Sequence, residues 1–397
     1  MTKQFAAGVV MVVAGLGAYT LRGSGQIATP QAGVQPVAEF TVDGKVFGTP
    51  EARVTKDDYN GPPVSGEYVT MAPYVAPLPP GNRTHNVRMD IVVATIEVAP
   101  GVKYQAWTFG GTVPGPVLHV REGDRVIFTM KNRSAERVKV SNPTKESSAP
   151  FFQQLADSGR TGEPGIMPMP HSMDFHAATV SPADKWRMIM PGETIAMEWV
   201  ANYPGVFTYH CGVPPVLQHA AMGQYGVVVV SPKTGYPTDE QVDAEYVIVQ
   251  SEMYLKEGPD GLYVLDYDAA TKKQPSHVVF NGHRDSMMAQ PLKAEVGDRV
   301  RYYVHNVGPS DTSSMHVIGA IFDNVFYEGN VKNESRGMQT VLLGASNGAV
   351  LEYIIPEPGA YILVDHEFAD AMKGAMGKLV AGTMSPTVTA ASAHGGH

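Results

Sequence analysis

A degenerate internal repeat constrains the fold of this chain more than any other feature of its sequence. The tetrapeptide GDRV occurs at 123–126 and again at 297–300, 174 residues later. A strand-like sequence follows each copy. Each copy later ends with a Pro-Gly turn and an apolar strand, PGVFTYHC in the first and PGAYILVDH in the second. The separation is far too long for a solenoid repeat. Two copies of one β-rich unit are therefore expected.

The residues between these markers indicate β-sandwiches. Alternating apolar runs such as VRMDIVVATIEV and YGVVVVSP are typical of strands. The 41 glycines and 31 prolines are scattered along 397 residues, which favours short strands joined by turns over long helices. We predict an all-β fold of two tandem Greek-key sandwich domains, residues 86–232 and 240–385. Residues 133–169 form a polar insertion in the first copy, and loops of this length are usually functional or disordered.

Both ends of the chain are expected to lie outside these domains. Residues 1–22 carry an uncharged apolar stretch between basic residues, which is typical of an export signal or an uncleaved N-terminal anchor. Residues 23–85 are rich in Gly, Pro and polar residues and are expected to form a linker or an extended arm. Residues 386–397 are expected to form a solvated tail. An exported, periplasmic protein is the resulting prediction.

Charge and cysteine content narrow the functional classes. The chain has 30 basic and 39 acidic residues, and its net charge of −9 argues against nucleic-acid binding and suggests basic partners. Cys211 is the single cysteine, so an internal disulfide is excluded. Its role has to be sought in packing or in metal chemistry.

Two motifs surround Cys211 with histidines. The motif PHSMDFH supplies His171 and His176, and YHCGVPPVLQH supplies His210, Cys211 and His219. A thiolate with two imidazoles and a weak axial ligand is what a type 1, electron-transfer copper requires. A small buried core residue is the alternative for a free cysteine. Four histidines near two strand ends favour copper.

His210 and Cys211 indicate a second metal. Successive side chains of a strand point to opposite faces, so a Cys211 copper inside the sandwich leaves His210 facing outward. The two histidines of PHSMDFH can divide in the same way, with His171 binding the Cys211 copper and His176 joining His210 at the second metal. The second metal then has two imidazoles, needs a third, and keeps a position open for substrate or water. One peptide bond would link the two metals.

The motifs PHSMDFHAAT, YHC, HVIGAIFDNVFYEG and VDHEF, in this order on two cupredoxin-like domains, resemble the copper-containing nitrite reductases. The resemblance covers most of 86–385. It implies a homotrimer of paired cupredoxin domains with two coppers per chain. The type 2 copper would lie between subunits, held by His176 and His210 of one subunit and by His366 of the next. Without the resemblance, His366 would be an exposed histidine at a strand end.

The resemblance also implies catalytic roles. Asp174 and His316 would handle protons above the type 2 copper, because reducing nitrite to nitric oxide and water takes one electron and two protons. Asp174 could equally orient His176, as carboxylates beside ligating histidines often do. Ile318 would pack over the substrate, or be a core strand residue. The electron donor would be a small copper protein or a c-type cytochrome, docking near the type 1 site that the insertion is expected partly to cover.

The axial ligand follows from a counted spacing. The family usually ends this loop with H-x4-M, and counting from His219 puts the x4 position at Gln224. Met222, at x2, is the alternative, and the absence of any axial protein ligand is a third possibility. An amide oxygen is a harder donor than a thioether, so it favours Cu(II) and lowers the reduction potential.

Two rival functions remain at this point. A laccase-like two-domain multicopper oxidase needs about eight histidines, mostly in H-x-H pairs, to hold its trinuclear cluster. This chain has no H-x-H pair, and Cys211 is followed by Gly212. A type 1 copper electron carrier would require His176, His210 and His366 to be incidental. Copper content separates the three: two per chain for the reductase, one for the carrier and four for the oxidase.

Overall fold

The computed structural model describes residues 40–42, 45–47, 78, 81–135, 167–284 and 286–382. All of them belong to one compact unit, Val37–His397. The expected export segment, most of the expected linker, most of the insertion and the C-terminal tail lie outside the described residues.

Strands dominate the described part of the chain. Up to residue 231 they are β1 (Phe40–Val42), β2 (Lys45–Phe47), β3 (Thr84–Arg88), β4 (Ile91–Ala99), β5 (Val102–Phe109), β6 (Leu118–Arg121), β7 (Arg125–Lys131), β8 (Asp174–Phe175), β9 (Thr194–Val200), β10 (Gly205–His210) and β11 (Tyr225–Ser231). Beyond it they are β12 (Val242–Met253), β13 (Leu255–Glu257), β14 (Tyr263–Leu265), β15 (His277–Phe280), β16 (Leu292–Ala294), β17 (Arg299–Gly308), β18 (Ser313–Ile318), β19 (Asn324–Tyr327), β20 (Glu334–Ser335), β21 (Thr340–Leu343), β22 (Asn347–Ile354), β23 (Gly359–Asp365) and β24 (Met376–Ala381).

The helices are short and lie between strands. They are α1 (Pro182–Lys185), α2 (Val216–Ala221), α3 (Tyr267–Thr271), α4 (Ser286–Ala289) and α5 (Phe368–Lys373), with single 3-10 turns at Asp239–Gln241 and Pro259–Gly261. The described structure is mostly strand and has few helices, so the predicted all-β class is confirmed.

The strands form two groups of sheets beside the β1–β2 hairpin. Sheets β3-β7-β9 and β6-β11-β10-β8 are built from residues before 232, and β15-β12-β17-β22-β19-β20 and β16-β24-β23-β18-β21 from residues after 240. The remaining sheet, β13-β14-β5-β4, joins strands from both sides of this division, since β14 pairs in parallel with β5. Four of these five sheets therefore lie wholly on one side of residues 232–240 in sequence. The exact domain limits stay a prediction.

The sequence repeat is a structural repeat. In the first copy β6 runs parallel to β11, which pairs antiparallel with β10, which pairs antiparallel with β8. In the second copy β16, β24, β23 and β18 pair in the same order with the same directions. The glycine of each GDRV sits in a turn at φ 93°, a left-handed conformation that glycine adopts at low cost. β10 and β23, which end at the candidate ligands, are thus equivalent strands.

Each sandwich has its own hydrophobic core. One core gathers Phe128, Phe175, Trp199 and Tyr209 together with Cys211. The other is built from strands of the second copy, with Tyr302, Tyr353 and many aliphatic residues. The sheet that contains β11 is covered on both faces, so the run VVVV in β11 is buried on both sides. Val228 and Val230 pack in the core with Cys211, and Val227 and Val229 pack in a neighbouring apolar cluster. Cys211 therefore directly follows a largely buried strand and is itself fully buried.

Candidate metal centres

The side chains of His171, Cys211 and His219 converge at a fully buried point. The Sγ atom of Cys211 lies 3.2 Å from Nδ1 of His219 and 4.0 Å from Nδ1 of His171. The two Nδ1 atoms are 3.2 Å apart. Cys211 follows β10, His219 lies in α2, and His171 forms a backbone bridge with Ile189. Two segments, one with His171 and the other with Cys211 and His219, therefore place three donor atoms together.

The thiol is held by backbone donors. The N–H of Ser172 donates to Sγ of Cys211 at 3.4 Å, and the hydroxyl of Ser172 accepts from the N–H of Gly212 at 3.0 Å. Burial raises the pKa of the Cys211 thiol, and the hydrogen bonds from Ser172 and Val213 act against that rise. A buried thiolate without a cation is unfavourable, and a metal ion removes that penalty by taking up the thiolate.

The two imidazoles are held in their neutral form. Burial, and after it the neighbouring His219, lower the pKa of His171 to about 3. Burial also lowers the pKa of His219. Trp107 packs against both rings, with centroid distances of 5.5 Å to His171 and 4.8 Å to His219. Neutral imidazole is the form that binds a metal, so the set of one thiol and two imidazoles fits copper.

Gln224, rather than Met222, reaches this cluster through a polar atom. Its Oε1 lies 3.1 Å from Nδ1 of His219, and the side chain is fully buried. Its backbone is fixed as well, since its carbonyl accepts from the N–H of Cys211 at 3.2 Å. Met222 ends α2 and packs in an apolar cluster with Val93 and Trp107. The geometry favours the residue that the counted spacing indicated.

A second cluster lies on the other side of the Cys211 backbone. Nε2 of His176 and Nε2 of His210 are 3.1 Å apart, and Oδ2 of Asp174 lies 4.0 Å and 3.9 Å from them. Asp174 and His210 are register partners on β8 and β10. His210 is 19% exposed at its side chain whereas Cys211 is fully buried. The two neighbouring side chains therefore face opposite ways, as strand geometry predicts.

Hydrogen bonding fixes which nitrogen of His210 is available. Its Nδ1 lies 2.9 Å from the carbonyl oxygen of Cys211, and a carbonyl oxygen can accept but not donate. Nδ1 therefore carries the proton, and the lone pair of Nε2 faces His176. Burial, and after it the adjacent His210, lower the pKa of His176, while Asp174 acts in the opposite direction. Both imidazoles can thus offer Nε2 to a metal.

His316 and His366 form a separate pair on the second copy of the repeat. His316 lies on β18, His366 follows β23, and their ring centroids are 5.5 Å apart. Nδ1 of His316 donates to the carbonyl oxygen of Gln339 at 2.5 Å. Among the described residues, the metal-capable cluster of Asp174, His176 and His210 does not include either of them. Within one chain, the expected third ligand is therefore not brought to the other two.

Ile318 lies at the end of β18, on the same face as His316, and is 50% exposed. The core reading of this residue is therefore wrong. Other large exposed side chains occur on the nearby elements, among them Leu342 on β21 and Phe368 on α5, whose ring lies 4.6 Å from that of His366. The surface around the His316–His366 pair is thus rich in uncovered apolar groups.

Both ends of the polar insertion are described and lie next to the first cluster. The N–H of Met167 donates to the carbonyl oxygen of Ser134 at 3.1 Å, and Nδ2 of Asn132 donates to the carbonyl of Met169 at 2.7 Å. Met167 and Met169 pack against the apolar cluster that contains Trp107 and Met222. The insertion therefore leaves and re-enters the fold beside the buried ligands.

Sequence reasoning did not find three residues that shape these centres. Ser172 stands inside the PHSMDFH motif, so its role could have been inferred from its position between two ligands. Trp107 carries no local signal, and Asp365, although it precedes His366 in VDHEF, also depends on Gln250 and Ser314, which are distant in the chain. Asp365 is fully buried next to His366, and burial raises the pKa of its carboxyl.

Two β-sandwich repeats, with a buried Cys-His-His cluster at the end of one strand and an outward His-His pair beside it, define a cupredoxin-type copper protein. The multicopper oxidase family model matches residues 90–144. A copper-containing nitrite reductase of Neisseria gonorrhoeae is 38% identical over 334 residues, covering 82% of this chain and 76% of that protein. The chain belongs to the copper-containing nitrite reductase family.

Solved structures agree with this assignment. A copper nitrite reductase from Nitrosomonas europaea matches with a TM-score of 0.61 and 36% identity, covering 76% of this chain and 94% of that one. A multicopper oxidase structure matches with the same TM-score of 0.61 but 22% identity, covering 83% of this chain and all of that one. The second likeness shows the fold alone.

In the part of the chain that the structure describes, no helix has the length and apolar character needed to cross a bilayer.

Proposed function

We propose that this protein reduces nitrite to nitric oxide with two copper ions per chain. The observation that carries the proposal is the placement of two histidine-containing clusters on opposite sides of the Cys211 backbone, joined by one peptide bond. Family membership supports copper as the metal and nitrite as the substrate. The division into a type 1 and a type 2 copper rests on the residue chemistry of the two clusters.

His171, Cys211 and His219 would hold the first copper, with Gln224 as axial ligand. When bound, the coppers supply one-electron transfer at the first cluster and a binding position for nitrite at the second. The chain contributes rigidity and exclusion of water, because all four side chains are fully buried. A site fixed in this way reorganises little when its charge changes, which favours fast electron transfer.

His176 and His210 would hold the second copper through their Nε2 atoms. The third ligand we assign to His366 of the partner subunit, which requires a homotrimer. Two observations support an intermolecular site: the pair lacks a third imidazole within the described chain, and His366 is surrounded by exposed apolar side chains. The peptide between Cys211 and His210 provides a covalent path for the electron between the clusters.

Asp174 and His316 would manage the two protons. Nitrite accepts one electron and two protons, one N–O bond breaks, and nitric oxide and water leave. Asp174 is suited to this role because its side chain is 42% exposed and its Oδ2 lies 4.0 Å and 3.9 Å from the Nε2 atoms of the two imidazoles, near the place where nitrite would bind. His316 is oriented by its N–H bond to Gln339, which leaves Nε2 free to exchange a proton. Ile318 would limit the space above the substrate.

The surroundings of the protein are part of the proposal. We place it in the periplasm or otherwise outside the cytoplasm, cleaved from or anchored by its N-terminal segment. A small copper protein or a c-type cytochrome would deliver the electron near the first cluster, where the ends of the insertion pack. A laccase-like oxidase or a single-copper carrier is less well supported, because the chain lacks H-x-H pairs and has a second histidine cluster.

An anaerobic assay tests the function directly. Copper-loaded protein of measured metal content is mixed with nitrite and a chemically reduced donor, and nitric oxide is followed with an electrode. Two coppers per chain and nitric oxide formation are expected. Cys211→Ser should lose the first copper and electron uptake from the donor protein. Fully loaded protein that makes no nitric oxide would overturn the proposed function.

A further inference from the structure

Asp365 is a carboxylate in an unusual environment. It is fully buried at the end of β23, and within the described residues no lysine or arginine forms an ion pair with it. Its hydrogen-bond donors are all neutral groups. Burying a carboxylate without a cation is costly, so the residue is expected to serve something other than stability.

One oxygen of Asp365 fixes the backbone around His366. Oδ1 accepts from the N–H of Ser314 at 2.9 Å and from the N–H of Glu367 at 3.0 Å. The carbonyl of Ser314 in turn accepts from the N–H of His366 at 2.8 Å. The peptides on both sides of His366 are therefore tied, directly or through Ser314, to the same carboxylate oxygen.

The other oxygen extends the arrangement to β12. Oδ2 accepts from Nε2 of Gln250 at 2.6 Å, and Oε1 of Gln250 accepts from the hydroxyl of Ser313 at 2.7 Å. Gln250 and Ser313 are buried. Ser313 and Ser314 begin β18, which carries His316 two residues later. A single buried network thus holds the strand ends that present both histidines.

We propose that Asp365 is a positioning residue that, with Gln250 and Ser313, fixes the backbones of His366 and His316 for the second copper site. The inference rests on the proposed function, in which His366 binds that copper. Asp365 acts through peptide groups and not through either imidazole. In the first copy of the repeat, the buried residue at the end of the equivalent strand β10 is Cys211. The same position in the repeat therefore holds a metal ligand in the first copy and a positioning residue in the second.

The test compares copper-loaded Asp365→Ala and Asp365→Asn with the parent protein. Alanine removes all three acceptor contacts. Asparagine keeps Oδ1 as an acceptor, and the amide of Gln250 can turn to accept from the new Nδ2. We expect Asp365→Ala to bind the second copper 10- to 100-fold more weakly, by analogy with residues that orient ligands. Its type 2 EPR signal should change while the type 1 absorption stays, and Asp365→Asn should restore affinity to within a few-fold.

His366→Ala separates the two ideas. If that variant keeps its second copper, the ligand set of the proposed function fails. If it loses the copper while Asp365→Ala retains parental affinity and EPR parameters, the positioning role is overturned. Should Asp365→Ala not fold, Gln250→Leu removes the partner of Oδ2 and the acceptor of the Ser313 hydroxyl, and leaves the contacts of Oδ1 in place. It is expected to shift the EPR signal in the same direction, and an unchanged signal would refute the inference.

Discussion

His210 donates a hydrogen bond of 2.9 Å from its own Nδ1 to the carbonyl oxygen of Cys211, the next residue in the chain. The bond selects the tautomer of the imidazole and points Nε2 at His176, while the thiol turns to the opposite side of the strand. The connection between the two clusters is therefore short, covalent and geometrically fixed.

Replacing His210 should remove one copper and leave the other. His210→Ala deletes an Nε2 donor of the second cluster but none of the first, so one copper per chain and an intact type 1 absorption are expected. Nitric oxide formation should fall by at least roughly 100-fold, since even residues that only orient ligands contribute 10–100-fold. Copper analysis and the anaerobic assay measure this. His277→Ala, at the start of β15 and outside both clusters, is the control. Two coppers in His210→Ala would contradict the assignment.

The axial position makes a spectroscopic prediction. Gln224→Met exchanges a hard amide oxygen for a soft thioether, which stabilises Cu(I), so the reduction potential of the first copper should rise and its visible spectrum should shift. Met222→Leu is the matched comparison, since Met222 packs among apolar side chains, and little change is expected there. Redox titration followed by absorbance gives both values. A shift in Met222→Leu with none in Gln224→Met would reverse the assignment.

Asp174 should affect catalysis without affecting metal content. Its Oδ2 lies 4.0 Å and 3.9 Å from the two Nε2 atoms, beyond hydrogen-bond distance of either imidazole but close enough to face a group bound beside them. Asp174→Asn removes proton transfer, so nitric oxide formation should fall by about 10²-fold or more, in the usual range for a general acid. Both coppers should remain. Loss of the second copper would instead identify Asp174 as an orienting residue for His176.

The buried His305 predicts a pH dependence of stability. Its Nδ1 donates to the carbonyl of Val206 at 3.0 Å, and burial lowers the pKa of this histidine to about 3. The unfolded chain, with a pKa near 6.5, therefore takes up a proton first as the pH falls, and stability is lost between about pH 6.5 and pH 3. At pH 5 this histidine should reduce the free energy of unfolding by about 2 kcal/mol relative to pH 7.

His305→Asn provides the comparison, because an asparagine amide can keep the bond to Val206 without titrating. Denaturant unfolding at both pH values should show a smaller loss on acidification in the variant, by about 2 kcal/mol. Equal losses in the two proteins would mean that the pKa of His305 is not depressed.

The buried cluster could be predicted from residue types and spacing, because Cys211 and its neighbouring histidines lie in two short motifs at strand ends. Strand alternation alone indicated that His210 and Cys211 face apart, and counting from His219 indicated Gln224. The contacts of Asp365 could not be read in this way, since Gln250 is 115 residues distant and nothing in the local pattern links them. The pairing of β14 with β5 was missed for the same reason.

The bond between Ser134 and Met167 brings the two ends of the insertion to one place in the fold. A segment that departs and returns at a single point can be lengthened or exchanged at small entropic cost, because loop closure depends only weakly on length. The same point is packed against the apolar cluster beside the first copper ligands. The insertion could therefore be replaced, in evolution or by protein engineering, with a different recognition segment or with a tethered electron-donor domain. The residues that hold the metal would not have to change.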